Sequence, residues 1–114
     1  MNPSDRVKDF AQRRCRPLPA GTPPIPAPEV EALLHGFTGW SLHQGSLRRS
    51  FAFPDYHRTI AFVNAVAWIA HQQDHHPELE VSYNRCRVSF NTHCIGGISE
   101  NDFICAARVE ELLD

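Results

Sequence analysis

The uneven placement of proline is the feature that most limits how this chain can fold. Seven of the nine prolines lie in the first 28 residues, and each one fixes φ and removes a backbone hydrogen-bond donor. We therefore interpret residues 1–28 as a Pro/Arg-rich N-terminal arm and residues 29–114 as one domain of ordinary size. Within the arm, residues 5–14 can form a short helix.

Charge also divides the chain near residue 28. The arm carries five basic side chains against two acidic ones, whereas residues 29–114 carry six basic and eleven acidic ones. We favour a partly ordered surface extension as the interpretation of the arm. A tether for an anionic partner and an arm that packs on the acidic body are the alternatives.

Composition argues against several classes of protein. The chain has 42% hydrophobic residues, 21% charged residues and a net charge of −2, so an ordinary globular domain is expected and nucleic acid is not expected as a direct partner. No apolar run approaches the roughly 20 residues that span a membrane, and the N-terminus has no apolar signal segment. Four widely spaced cysteines indicate reduced thiols. We therefore expect a cytoplasmic protein without membrane contact.

The hydrophobic pattern beyond the arm predicts alternating helices and hairpins. The expected elements are a helix over 29–34, a hairpin over 40–53 that turns at Gly45 and Ser46, a helix over 55–73, a hairpin over 79–90 and a final helix after Ser99. The fold class is therefore α+β, with a four-stranded antiparallel sheet covered on one face by helices. Such a sheet has open edges and one bare face, so we expect a homodimer or a homotetramer.

Histidines form the most informative cluster of the sequence. Four of the seven fall between residues 71 and 93: His71, His75, His76 and His93. The first three stand at the end of the long helix before Pro77, and His93 closes the last strand. If the two hairpins lie side by side in one sheet, the helix end and the strand end can converge on one rim. Imidazoles titrate near neutral pH, so this cluster suits chemistry that moves protons in both directions.

A metal site is the competing interpretation of the same cluster. His71 and His75 stand four residues apart, so they can share a helix face, and His93 or Asp74 could add a third ligand. Two observations weaken this alternative. No cysteine pair or further helical carboxylate stands at a ligand spacing, and the adjacent His75 and His76 project in different directions. We therefore expect no metal.

Two further residues have both a structural and a functional interpretation, and a third has only a structural one. Asp102 can orient an imidazole or simply complete a capping box with Ser99, and both can hold at once. Trp40, at a strand start, is either a core aromatic or a stacking face for a planar heterocycle, and we include it among the substrate-binding candidates. Cys94, next to the last of the four histidines, is a bystander by position alone.

One spacing pattern resembles a known family. The chain reads His71-x-x-x-His75-His76-Pro77, followed at fixed distances by Tyr83, His93 and Asp102. This pattern resembles the signature of the pterin-4a-carbinolamine dehydratases. The match covers 32 residues directly, and Gly39-Trp40 together with the order of elements extends it over roughly three-quarters of the chain. A His-His-Pro segment with a third histidine at a set distance is much more specific than a short glycine motif.

The resemblance implies a hydro-lyase that converts 4a-hydroxytetrahydropterin to quinonoid dihydropterin in tetrahydropterin recycling, without a metal or an organic cofactor. It assigns proton transfer to His75 and His93, substrate holding mainly to His76, and support of the site to Asp102. The further binding contacts that it implies are Pro77, Thr92 and Cys94.

The chain departs from the family pattern at two positions. Relatives commonly have Glu-Trp where this chain has Glu78-Leu79, which loosens one wall of the expected pocket, and His71 stands where a carboxylate is common. Some family members also act as a dimerization cofactor of a transcription factor. A non-catalytic scaffold role of the same fold is therefore the alternative function.

Overall fold

The structure, a computed structural model, describes residues 2–113 apart from the side chains of Pro3 and Ser4. Its helices in that range are α1 (Pro3–Ala11), α2 (Ala27–Leu33), α3 (Tyr56–Gln73) and α4 (Glu100–Glu111), and single 3₁₀ turns cover Leu34–Gly36 and His93–Ile95. Its strands are β1 (Ser41–His43), β2 (Ser46–Ala52), β3 (Glu78–Ser82) and β4 (Arg85–Phe90).

The four strands form one antiparallel sheet in the order β1-β2-β4-β3. The two predicted hairpins therefore lie side by side, joined by the pairing of β2 with β4. Strands β1 and β3 are the open edges. The predicted α+β class with a four-stranded antiparallel sheet is confirmed. Among the helices described, none is long and apolar enough to cross a membrane.

The turn of the first hairpin lies one residue earlier than predicted. His43 pairs with Ser46, which leaves Gln44 and Gly45 as the two turn residues. Both have positive φ, 49° for Gln44 and 80° for Gly45, as the favoured two-residue hairpin turn requires. The prediction of Gly45 and Ser46 was wrong because Ser46 takes the first extended position of β2.

Helix α4 occupies the centre of the molecule between the sheet and the N-terminal helix. Its residues from Asn101 to Ala107 are all buried, and it contacts β2, β4, α1 and α3. The sheet buries one face against the helices with Leu47, Phe51, Cys86, Val88 and Phe90. Helix α3 begins at the predicted N-cap, because the Asp55 side chain accepts a hydrogen bond from the Arg58 backbone N–H at 2.8 Å. Helix α3 also packs against α4.

The N-terminal segment packs on the outer side of α4. Phe10 is buried and stacks on Phe103 with 5.5 Å between ring centroids, and Arg13 pairs with Glu100 at 2.9 Å. The short helix expected within residues 5–14 is thus present as α1. Residues 5–16 pack on the acidic body, which was the alternative to a surface extension. A boundary at residue 28 stays a prediction.

Candidate functional site

The end of α3 turns His75 toward the core. The helix stops at Gln73 because Asp74 adopts a left-handed conformation, with φ 50° and ψ 44°, which Asp tolerates better than most residues. The backbone N–H of His75 then donates to Ala70 O at 3.1 Å. His71 lies within α3 and is exposed, whereas His75 lies beyond the helix end, so the two do not share a helix face as their spacing would have allowed.

The start of α4 presents a fully buried carboxylate to His75. Ser99 and Asp102 form the predicted capping box, and the Asp102 side chain has no solvent exposure. Asp102 Oδ2 accepts hydrogen bonds from the Ser99 backbone N–H at 2.9 Å and from the Thr92 hydroxyl at 2.7 Å. Asp102 Oδ1 lies 2.6 Å from His75 Nε2. One carboxylate therefore joins the end of α3, the end of β4 and the start of α4.

Two hydroxyl groups complete this arrangement. Ser99 Oγ accepts from the Asn101 backbone N–H at 3.2 Å, so its own proton is free to reach Thr92 Oγ1 at 2.5 Å. Thr92 in turn donates to Asp102. Because each hydroxyl accepts one hydrogen bond and donates the next, the Asp102 side chain is held in one orientation.

The carboxylate changes the proton affinity of His75. Burial lowers the pKa of the imidazole, but the hydrogen bond and the charge of Asp102 outweigh burial, so the pKa of His75 is raised above its ordinary value. The ring also stacks on Phe90, with centroids 6.1 Å apart and planes inclined by 11°. A carboxylate only accepts hydrogen bonds, so Nε2 carries the proton and Nδ1 is the nitrogen left for a reacting group.

The other candidate residues fall into an exposed and a buried set. His76, His93 and Cys94 are exposed, and Pro77 is half-buried. Within residues 2–113, neither the His76 nor the His93 side chain makes a hydrogen bond or an ion pair. His93 lines a cavity of about 230 Å³ together with Gln44, Gly45, Asn91, Gly96 and Gly97.

Thr92 and Trp40 are buried rather than open to a ligand. The Thr92 side chain is engaged with Asp102, as described above. Trp40 is only 6% exposed, its indole N–H donates to Glu110, and its ring stacks on Phe90 with 6.2 Å between centroids. The structure thus places Trp40 in the core, behind the Phe90 ring on which His75 also stacks.

The described side chains do not assemble a metal site. In the part of the chain that the structure covers, no group of three or more His, Cys, Asp and Glu residues is arranged to hold a metal ion. Among the described residues, the one hydrogen bond of the His75 ring nitrogens is that from Nε2 to Asp102.

Sequence reasoning missed two parts of the site. The first is the hydrogen bond between the Ser99 and Thr92 hydroxyl groups. The capping box predicted only the contact of Ser99 with Asp102. The arm also reaches the site, because the Cys15 backbone N–H donates to Gln73 Oε1 at 2.8 Å. No spacing in the sequence links these pairs, since they meet only through tertiary packing.

Comparison with known proteins gives a consistent result. A profile of the family described as Pterin 4 alpha carbinolamine dehydratase matches residues 23–112. A protein of Nitrosomonas eutropha, provisionally named pterin-4-alpha-carbinolamine dehydratase, is 54% identical over 108 residues, which cover 94% of this chain and 96% of that protein.

Two solved structures share the fold. The transcriptional coactivator/pterin dehydratase of Brucella melitensis superposes with a TM-score of 0.76 at 29% identity, covering 80% of this chain and 99% of that chain. A pterin dehydratase-like protein described as a RuBisCO assembly factor in the alpha-carboxysome superposes with a TM-score of 0.54 at 24% identity, over 64% of this chain and 84% of that chain. The second likeness shows the fold alone.

Proposed function

Because the chain belongs to the pterin 4 alpha carbinolamine dehydratase family, we propose that it dehydrates 4a-hydroxytetrahydropterin to quinonoid dihydropterin in tetrahydropterin recycling. The observation that carries this proposal is the pairing of His75 with the fully buried Asp102 at 2.6 Å. Such a pair supplies an oriented imidazole of raised pKa, which is the group that a proton-transfer reaction near neutral pH needs.

The reaction requires two proton movements on the pterin ring. The C4a–O bond breaks while the N5 lone pair forms the N5=C4a double bond. The departing hydroxyl group takes up a proton and leaves as water, and a base accepts the proton from N5. An acid next to the leaving hydroxyl group and a base next to N5 can together contribute about 10²–10⁴-fold to the rate.

We assign these two proton transfers to His75 and His93. Asp102 accepts the hydrogen bond from Nε2–H of His75, which leaves Nδ1 unprotonated. Nδ1 can then accept a proton from the substrate, and the imidazolium that forms can give a proton back. His93 directly follows Thr92, whose hydroxyl is bound to the same carboxylate. This link supports the proposal, because it ties the residue next to His93 to the carboxylate that also holds His75, and the exposed His93 ring is free to meet the substrate.

The remaining candidates divide into binding and positioning residues. His76 and Cys94 are exposed and Pro77 is half-buried, so all three can contact a pterin directly. Thr92 would act through Asp102, and Trp40 would act through Phe90, since both lie behind the groups that face the site. We therefore propose positioning parts for Thr92 and Trp40.

The test is a direct assay of dehydration with freshly generated 4a-hydroxytetrahydropterin, corrected for the spontaneous reaction. The double variant His75→Ala/His93→Ala is expected to fall close to the spontaneous rate while its circular dichroism is unchanged. His57→Ala, an exposed histidine in the first turn of α3 at the end opposite His75, is the matched control and should keep the wild-type rate. A wild-type rate in the folded double variant would overturn catalysis and leave a scaffold role as the better account.

We further propose that the chain works as a homodimer or homotetramer. Both edge strands are open, and large apolar side chains stand exposed on the edge strand β3 and on α3, with Val81 44% and Trp68 60% exposed. Burial of such groups between copies removes apolar surface from water and pairs an open edge.

A further inference from the structure

Two cysteines from distant parts of the chain meet beside the proposed site. Cys15 lies in the segment after α1 and Cys105 lies on α4, and their Sγ atoms are 3.6 Å apart, with both thiols free. We propose that Cys15 and Cys105 are a redox-active pair that closes to a disulfide when the protein meets a hydroperoxide. A disulfide has an S–S distance of about 2.05 Å, so the sulfurs need to approach by only about 1.5 Å.

The backbone around Cys15 is fixed to the body on both sides of the sulfur. The Cys15 N–H donates to Gln73 Oε1 at 2.8 Å. The Arg16 N–H donates to Asn101 Oδ1 at 3.2 Å, and the Asn101 side-chain amide donates back to Arg16 O at 2.8 Å. Asn101 and Cys105 are four residues apart on α4 and therefore share a helix face. These hydrogen bonds hold the Cys15 backbone against α4, which keeps the two sulfurs close to each other.

The two thiols are suited to different steps of the oxidation. Cys15 is half-buried, whereas Cys105 has no solvent exposure, so an oxidant reaches Cys15 first. The hydrogen bond from Cys105 lowers the pKa of Cys15 and outweighs the opposing effect of burial. The same hydrogen bond and burial raise the pKa of Cys105 well above its usual range. Cys15 is therefore the nucleophile toward the oxidant, and Cys105 is the resolving thiol.

The reaction with hydrogen peroxide is balanced by this pair alone. The Cys15 thiolate attacks one peroxide oxygen, which forms an S–O bond and breaks the O–O bond, and the released hydroxide leaves as water. Cys105 then attacks the Cys15 sulfur, which forms the S–S bond and breaks the S–O bond, and the second oxygen leaves as water with the Cys105 proton. Two thiols lose two electrons and two protons, and one peroxide is reduced to two waters.

The experiment treats the folded full-length protein with hydrogen peroxide and maps disulfides by mass spectrometry of peptides prepared without reductant. We expect the intact mass to fall by the two hydrogens that the disulfide loses, one peptide pair to contain Cys15 joined to Cys105, and the thermal midpoint to rise. The midpoint rises because the link closes a loop of about 90 residues in the unfolded chain. Dithiothreitol should reverse all three changes.

Matched variants separate this pair from general thiol oxidation. Cys94→Ser removes an exposed cysteine outside the pair and should leave the link unchanged, whereas Cys15→Ser and Cys105→Ser should each abolish the link and the rise in midpoint. Glutathione disulfide in place of peroxide should give the same Cys15–Cys105 peptide pair without over-oxidation. Sulfinic or sulfonic acid at Cys15 without a link to Cys105, or a link that forms only in urea, would overturn the proposal.

Discussion

Replacement of Asp102 by Asn tests the central feature of the proposed site with a minimal change in shape. The amide oxygen of the introduced side chain can take the place of Oδ2 and accept the hydrogen bonds that Ser99 and Thr92 now donate. The amide NH₂ then faces His75 Nε2, where Asp102 Oδ1 now lies at 2.6 Å. Because two donors cannot bond each other, Nε2 must become the acceptor and the imidazole proton must move to Nδ1.

The magnitudes follow from these contacts. The variant replaces one hydrogen bond to a charged group by a neutral one, and this exchange costs about 1 kcal/mol in the free energy of unfolding. It leaves the protein folded, because the other two bonds to this side chain are retained. The neutral imidazole can no longer accept a proton at Nδ1, so we expect kcat to fall by about 10²–10⁴-fold, the usual contribution of acid–base catalysis. The pKa of His75 should also fall, since the hydrogen bond and charge of Asp102 raise it.

The assay combines steady-state kinetics across pH with NMR titration of the His75 ring. Asp102→Asn should lower kcat with a small change in KM and should move the His75 titration to lower pH. Glu111→Gln is the matched control, because it is an acid-to-amide change at an exposed position of the same helix. Wild-type kcat and an unmoved His75 titration in folded Asp102→Asn protein would refute the reasoning.

Four further outcomes are expected. His76→Ala should mainly raise KM, because loss of uniform binding appears in KM, and a fall in kcat alone would contradict that role. The pKa of His75 is raised in the folded state, so protonated His75 stabilises the folded protein. This contribution to the free energy of unfolding is complete below about pH 6.5, the unfolded pKa, and is lost as pH rises through the folded pKa. The unfolding free energies of wild type and His75→Gln in urea should therefore converge with rising pH, and a constant difference would argue against it. Exhaustive chelation should leave activity unchanged; stoichiometric zinc with activity lost on its removal would restore the metal hypothesis. Light scattering at micromolar concentration should give the mass of a dimer or tetramer, and a strictly monomeric mass would defeat the oligomer proposal.

Local hydrogen bonds made much of the fold predictable from the sequence. The N-cap at Asp55 and the capping box of Ser99 and Asp102 join residues three apart, and both are present as predicted. The end of α3 at Gln73 and the alternation of apolar residues in β4 followed from the same short-range patterns. The sequence also identified the histidine cluster and Asp102, since these residue types and their spacing carry the family resemblance.

Tertiary packing decided what each of these residues contacts. His75 and Asp102 are 27 residues apart, and only the packing of α3 against α4 shows that Nε2 meets the carboxylate. The burial of Trp40 and the meeting of Cys15 with Cys105 across 90 residues likewise have no local signal. Short-range sequence patterns predict contacts within a turn or a hairpin. A buried polar group must form a hydrogen bond because water is excluded from it, and its partner is set by the elements that pack around it.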